Sequence, residues 1–226
     1  NLEAILPGAS KDTFVIIVHY DSIGPFGQEA QNPGVDDDMS GMTILMETAR
    51  VLSGYAGRLQ HTVRFVAADY EEWSAPGLEG ARKYAAYLKD LAAREGFKII
   101  GAVDDEQSGW NCASDGLCDA DTGGKTTFMA SCSDDGNYNY PAIGDLFEAT
   151  AKEFSDIRVD RECEGSDSDH YAMWEIGVPT VVFSEPYGNP HYDAEGGDVY
   201  TRIDQDYFFR MAKLGVVFAA KNIGVN

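Results

Sequence analysis

Apolar and polar positions along this chain switch between two periods, and the switches mark out its elements. Residues 13–19 (TFVIIVH), 62–68 (TVRFVAA), 98–103 (KIIGAV), 126–131 (TTFMAS) and 179–184 (PTVVFS) are short runs rich in β-formers. Several are apolar on both faces, the pattern of strands buried between helix layers in a largely parallel sheet. Residues 40–53 instead carry Met42, Leu45, Met46, Ala49 and Leu52 at helical spacing, and 77–94 carry Leu78, Ala81, Tyr84, Ala85 and Leu88. Helices are also expected over 141–155, 169–176 and 205–222, the last with Phe208, Met211, Gly215 and Phe218 on one face. Strand and helix alternate throughout. The expected fold is therefore α/β: a three-layer αβα sandwich, a mostly parallel central sheet with helices on both faces, formed as one domain over residues 1–226.

In such sheets ligands collect outside the carboxyl ends of the strands. Three irregular segments rich in Gly, Asp or Asn follow expected strands there: 22–38, 104–124 and 185–203. Charge narrows the choice of ligand. With 38 Asp+Glu against 17 Lys+Arg, the formal net charge is −21. Such a surface repels phosphate backbones and anionic lipid, so nucleic-acid and membrane partners are not expected, whereas cations are. No run approaches the ~20 apolar residues of a membrane helix, and no basic-then-apolar leader opens the chain. The four cysteines, Cys112, Cys118, Cys132 and Cys163, include no Cys-x-x-Cys pair. At least one disulfide, Cys132–Cys163 or Cys112–Cys118, is expected, and with it a secreted or periplasmic protein.

The chemistry-bearing residues cluster just beyond the strands. His19 ends the first run and is followed by Asp21, which shares its face at period two. Pro33-Gly34-Val35-Asp36-Asp37-Asp38-Met39-Ser40-Gly41 places three aspartates before a helix. Capping and the helix dipole account for one or two of them and leave a carboxylate free to bridge cations. The second run leads into Glu71-Glu72, adjacent acids that repel unless a cation lies between them. The third ends in Asp104-Asp105-Glu106, and the fifth leads to Asn189-Pro190-His191-Tyr192-Asp193. Imidazole and carboxylate without thiolate is a donor set for zinc, with cobalt or manganese as substitutes.

Together these blocks, with Ser168-Asp169-His170 and Gly177-Val178-Pro179, resemble the co-catalytic dizinc aminopeptidases, zinc exopeptidases related to glutamate carboxypeptidase and glutaminyl cyclase. The resemblance runs from Leu2-Glu3-Ala4-Ile5-Leu6-Pro7-Gly8 to the last helix. It implies two zinc ions, with His19 on one, Glu72 on the other, Asp36 bridging, Asp105 (or its neighbour Asp104) as a further ligand and His191 completing the set. It implies Glu71 as general base and Asp21 as the group orienting His19. His170 is expected to be structural or pocket-lining, and His61 to lie at the surface. Two departures stand out. An Asp/Gly/Cys-rich insert occupies 107–124, and Pro190 precedes His191 where some members have a tyrosine, leaving Tyr192 or Tyr187 as substitutes. The implied activity is hydrolysis of the amino-terminal bond of peptides or proteins with a free amino terminus. Alternatives on the same scaffold are a single-zinc glutaminyl cyclase, a carboxypeptidase or dipeptidase, and a silent binding relative.

Overall fold

The run Phe14–Val18 lies in β2 (Ser10–His19), and its alternation separates the two layers that cover the sheet. The computed structural model describes all residues except 24–31, 73–76, 118–123, 187, 192–196 and 226. Phe14, Ile16 and Val18 face one side, where they pack with Ile44 and Leu52 of α1 (Met39–Ser53), Phe147 of α3 (Pro141–Phe154) and Leu214 and Phe218 of α5 (Gln205–Ile223). Val15 and Ile17 face the other, against Ala81, Ala85 and Leu88 of α2 (Glu79–Glu95) and Ala172 and Met173 of α4 (Asp169–Glu175). Period two in the strand and 3.6 in the helices thus fill two apolar layers around one sheet.

That sheet has seven strands in the order β1-β3-β2-β4-β7-β5-β6. β3 (His61–Ala68), β4 (Ile99–Asp105) and β7 (Thr180–Ser184) run parallel with β2, so four carboxyl ends open on one edge. β1 (Leu2–Leu6) pairs antiparallel with β3, and β5 (Thr126–Ser133) antiparallel with β7. β6 (Arg158–Glu164) lies beyond β5, parallel to it.

β1 and β6 are absent from the sequence expectation for a physical reason. Both are edge strands: the residues of β1 are mostly exposed, and β6 reads Arg-Val-Asp-Arg-Glu-Cys-Glu, without the apolar run that marks a central strand. The Cys132–Cys163 disulfide ties β6 to β5. Closing a loop of this length removes about 3–4 kcal/mol of unfolded-chain entropy. The expected Cys112–Cys118 bridge involves a residue outside those described.

Candidate metal centre

Each element delivers its side chain by ending where it does. β2 ends on His19, whose side chain is almost fully buried. Its Nε2 lies 3.1 Å from Asp37 Oδ1 and 3.7 Å from Glu106 Oε2. Glu106 follows directly on β4. The parallel register sets Ile17 beside Asp104, so two residues on, His19 stands beside Glu106 on the same face. Asp37 arrives from the segment before α1, where Asp38 caps the helix by accepting from the Gly41 amide at 2.9 Å. A side chain at Gly41 would strike the Asp105 carbonyl, so helix and strand meet this closely only with glycine there. The Asp37 amide in turn donates to Asp198 Oδ2 at 3.0 Å.

Glu71 and Glu72 form the opposite wall. The turn after β3 passes through Tyr70 in the left-handed region (φ 61°), and Asp21 pins it: one carboxylate oxygen accepts from the Glu71 amide at 3.1 Å, the other from the Glu72 amide at 3.2 Å. Asp21 therefore joins the two walls. Its backbone carbonyl contacts His19 Nδ1 at 3.1 Å while its carboxylate holds the glutamate turn. The carboxylate itself is 3.8 Å from the imidazole, so the orientation expected of Asp21 reaches His19 through the main chain.

The expected and assembled sets differ at three positions. Asp36 turns away from His19 and accepts from the Gly109 amide at 2.7 Å and from Asn189 Nδ2 at 3.2 Å; its neighbour Asp37 faces the imidazole. Asp105 points through the other face of the sheet, 3.4 Å from where a Cβ on Gly215 of α5 would sit, and accepts from Ser108 Oγ at 2.8 Å. Glu106, the next residue, is the one that faces the His19 imidazole. The alternative, Asp104, shares the site's face but accepts from the His170 amide and the Ser168 hydroxyl. His191 lies apart, with Nε2 2.9 Å from Asp115 Oδ2 in the 107–124 insert. Tyr187 and Tyr192 lie outside the described residues. His61 is half-buried at the amino end of β3, far from these groups in the fold.

His19, Asp37, Glu71, Glu72 and Glu106 share a cavity of about 240 Å³ that continues past Ser168 and His170. No lysine or arginine lines it among the described residues. Burial pushes the Glu71 carboxyl up to about 10, with Glu106, Asp169 and Glu72 adding to the effect against the opposing His19. Burial likewise raises Glu106, which has Asp104 and Asp37 beside it. Burial alone would depress the His19 imidazole, yet Asp37 and Glu106 hold it well above the usual histidine range. Several buried carboxylates around one imidazole are tenable only with protons or a metal cation among them. Ligand atoms of His19, Asp37 and Glu106 lie within 4.8 Å of one another, as do those of His19, Glu71 and Glu72. A tetrahedral zinc with bonds of ~2.0–2.1 Å separates its ligands by about 3.4 Å, so the first trio fits it.

Comparison with known proteins agrees. The profile of peptidase family M28 matches residues 1–219. The chain belongs to that family. It is 28% identical to a probable zinc metalloprotease of Pyricularia oryzae, over 97% of this chain and 49% of the relative. It is 27% identical to a probable leucine aminopeptidase of Arthroderma otae, over 97% of this chain and 56% of that one. The chain thus spans about half the length of the curated relatives it matches. Among solved structures, the aminopeptidase of Aneurinibacillus sp. strain AM-1 superposes with a TM-score of 0.74 at 23% identity, covering 99% of this chain and 48% of that one. The M28 match takes in every strand end that supplies the cavity.

Proposed function

We propose that this M28 chain is the catalytic part of a zinc-dependent aminopeptidase. One observation carries the proposal: the His19–Asp37–Glu106 trio faces the Glu71–Glu72 turn across a single cavity, and Asp21 braces both. His19, Asp37 and Glu106 would hold one zinc, and Glu72 with Asp37 a second. In this reading Asp37 takes the bridging place expected of Asp36, and Glu106 the place expected of Asp105. Bound zinc supplies a Lewis acid for the scissile carbonyl and a more acidic water.

The remaining work falls to the protein. Glu71 takes the proton of the attacking water and returns it to the leaving amine, so its carboxylate must reach the cavity while its neighbour Glu72 stays committed to metal. Asp21 fixes both glutamates through their amides, so the base and the ligand keep one geometry through the reaction. Ser168 hydrogen-bonds Glu106, leaving the other carboxylate oxygen toward His19. The acidic wall favours substrates that bring a free α-amine, which is why the reading is an aminopeptidase. The Cys132–Cys163 bridge fits work in an oxidising compartment outside the cytoplasm.

The test pairs aminoacyl p-nitroanilides with their N-acetylated counterparts, alongside elemental analysis. Hydrolysis of the free-amine substrates alone, abolished by chelation and restored by zinc or cobalt, is the expected result, with two zinc ions per chain. Full activity after chelation would remove the reading, and one zinc with cyclisation of amino-terminal glutamine would replace it with the cyclase.

A further inference from the structure

The cavity extends beyond the groups that serve metal and base, and its far walls are chemically mixed. Phe128 and Val182, buried neighbours on β5 and β7, give an apolar side. Glu164, at the end of β6, and Asp167 give an acidic side. His170 lines the same space and is wholly buried; its Nδ1 sits 3.3 Å from Asp104 Oδ2, and its Nε2 has no hydrogen-bond partner among the described residues. Even a protonated His170 cancels no more than the charge of its own partner Asp104, so it does not offset the other acids. No lysine or arginine lines the cavity among the described residues, and segments 24–31, 73–76, 118–123 and 192–196 contain none in their sequence.

An aliphatic occupant would suit the Phe128–Val182 side alone. It would strip water from Glu164 and Asp167 without replacing it, the kind of mismatch by which sites reject ligands. A long side chain with an apolar stem and a cationic head answers every wall: the stem lies along Phe128 and Val182, and the head meets the carboxylates. Resting on the aminopeptidase reading, we propose that this cavity selects substrates whose amino-terminal residue is arginine or lysine. Glu164 and Asp167 are the specificity-determining acids.

Two measurements on the zinc-loaded protein test this. The first compares kcat/KM for arginine, lysine, leucine and glutamate p-nitroanilides; the second, calorimetric binding of L-arginine against L-leucine, needs no turnover. Arginine and lysine should exceed leucine by about tenfold, with glutamate lowest. The advantage should lie mainly in KM and shrink between about 50 mM and about 500 mM salt. Asp167→Asn should cut the arginine-to-leucine ratio by about fivefold or more, and Asp167→Glu should restore it. Leucine equal to or better than arginine in both hydrolysis and binding overturns the proposal while leaving the aminopeptidase standing. Preferential arginine binding with no hydrolysis of any free-amine substrate would overturn the aminopeptidase and leave the cavity's selectivity standing.

Discussion

The β5–β6 arm and the carboxyl edge of β2, β3, β4 and β7 are both crowded with acids, and they solve the crowding in opposite ways. On the arm and the helix ends beside it, four acids meet cationic side chains: Asp160 has Arg158, Asp145 and Glu148 share Arg161, and Asp156 takes both Lys125 and Arg210, while Glu164 at the end of β6 turns to the cavity. At the carboxyl edge Asp37, Glu71, Glu72 and Glu106 share a cavity with no lysine or arginine among the described residues. The four paired acids of the first region are neutralised by the chain itself. The second is built to be neutralised by something bound. A net charge of −21 says nothing about this division, because the same excess could be spread evenly as a solvated surface.

The comparison is broken most directly at the glutamate pair. Glu71→Gln keeps its size and loses proton acceptance, so it should retain zinc and lose about 10²–10⁴ in kcat with KM little changed. Glu72→Gln should shed metal first. Zinc content and kcat measured on both variants decide the matter; an active Glu71→Gln, or one that loses its metal, would exchange or cancel the two roles.

Next in size are the neighbouring acids that differ only in which way they face. Asp37→Asn and Glu106→Gln should weaken zinc affinity by about 100-fold or more, because each removes a charged ligand atom beside His19. Asp36→Asn and Asp105→Asn should act on thermal stability instead, since each changes a buried charge and its hydrogen bonds, with zinc affinity moving much less. Competition with a chromogenic chelator measures the first effect and thermal unfolding the second. The reverse ranking would return the bridge to Asp36.

These pairs also show what sequence carries and what it leaves out. Long apolar strands and amphipathic helices were legible because burial imposes a period, and His19, Glu71 and Glu72 because they stand immediately beyond such strands. The choice between Asp105 and Glu106 rests on parity: one step along β4 exchanges the α2–α4 face for the α1–α5 face, and only the register with β2 fixes which is which. Among Asp36, Asp37 and Asp38 the deciding fact is that Asp38 is the helix cap and Asp36 is engaged by Gly109 and Asn189, partners far along the chain. His191 stands on Asp115, a contact made by the insert that departs from the family pattern. Edge strands β1 and β6 gave no periodic signal because neither buries a full face.

A smaller effect follows from protonation. Burial pushes Asp36 up to about 6 and Glu71 up to about 10, so the folded metal-free chain binds protons more tightly than the unfolded chain does. Stability from such groups is present at low pH and is lost as pH rises through the folded values. For Asp36 alone the loss between about pH 4 and pH 7 is about 2 kcal/mol. Metal-free protein should therefore melt at lower temperature at pH 8 than at pH 5. Zinc should cancel or reverse that trend, since it binds the deprotonated carboxylates. A metal-free protein whose melting temperature climbs steadily from pH 5 to pH 8 would show that the edge is neutralised by some internal partner, as the arm is.

The smallest effect belongs to the arm, and its smallness is the point. Arg158 and Asp160 form an exposed pair, with side chains 62% and 40% accessible. Arg158→Ala leaves Asp160 in water, which solvates a lone carboxylate almost as well as the guanidinium pairs it, so the expected change in stability is about 0.5 kcal/mol or less. That corresponds to a melting shift of about 2 °C or less. Zinc content and kcat should not move, because β6 meets the sheet through β5 alone and Arg158 sits at the end of β6 away from Glu164. Removing a charge from the carboxyl edge, by contrast, changes what the protein can bind. If Arg158→Ala altered metal affinity, the arm's ion pairs would be part of the field that holds the cation, and the division between a self-neutralised region and a ligand-neutralised one would fail.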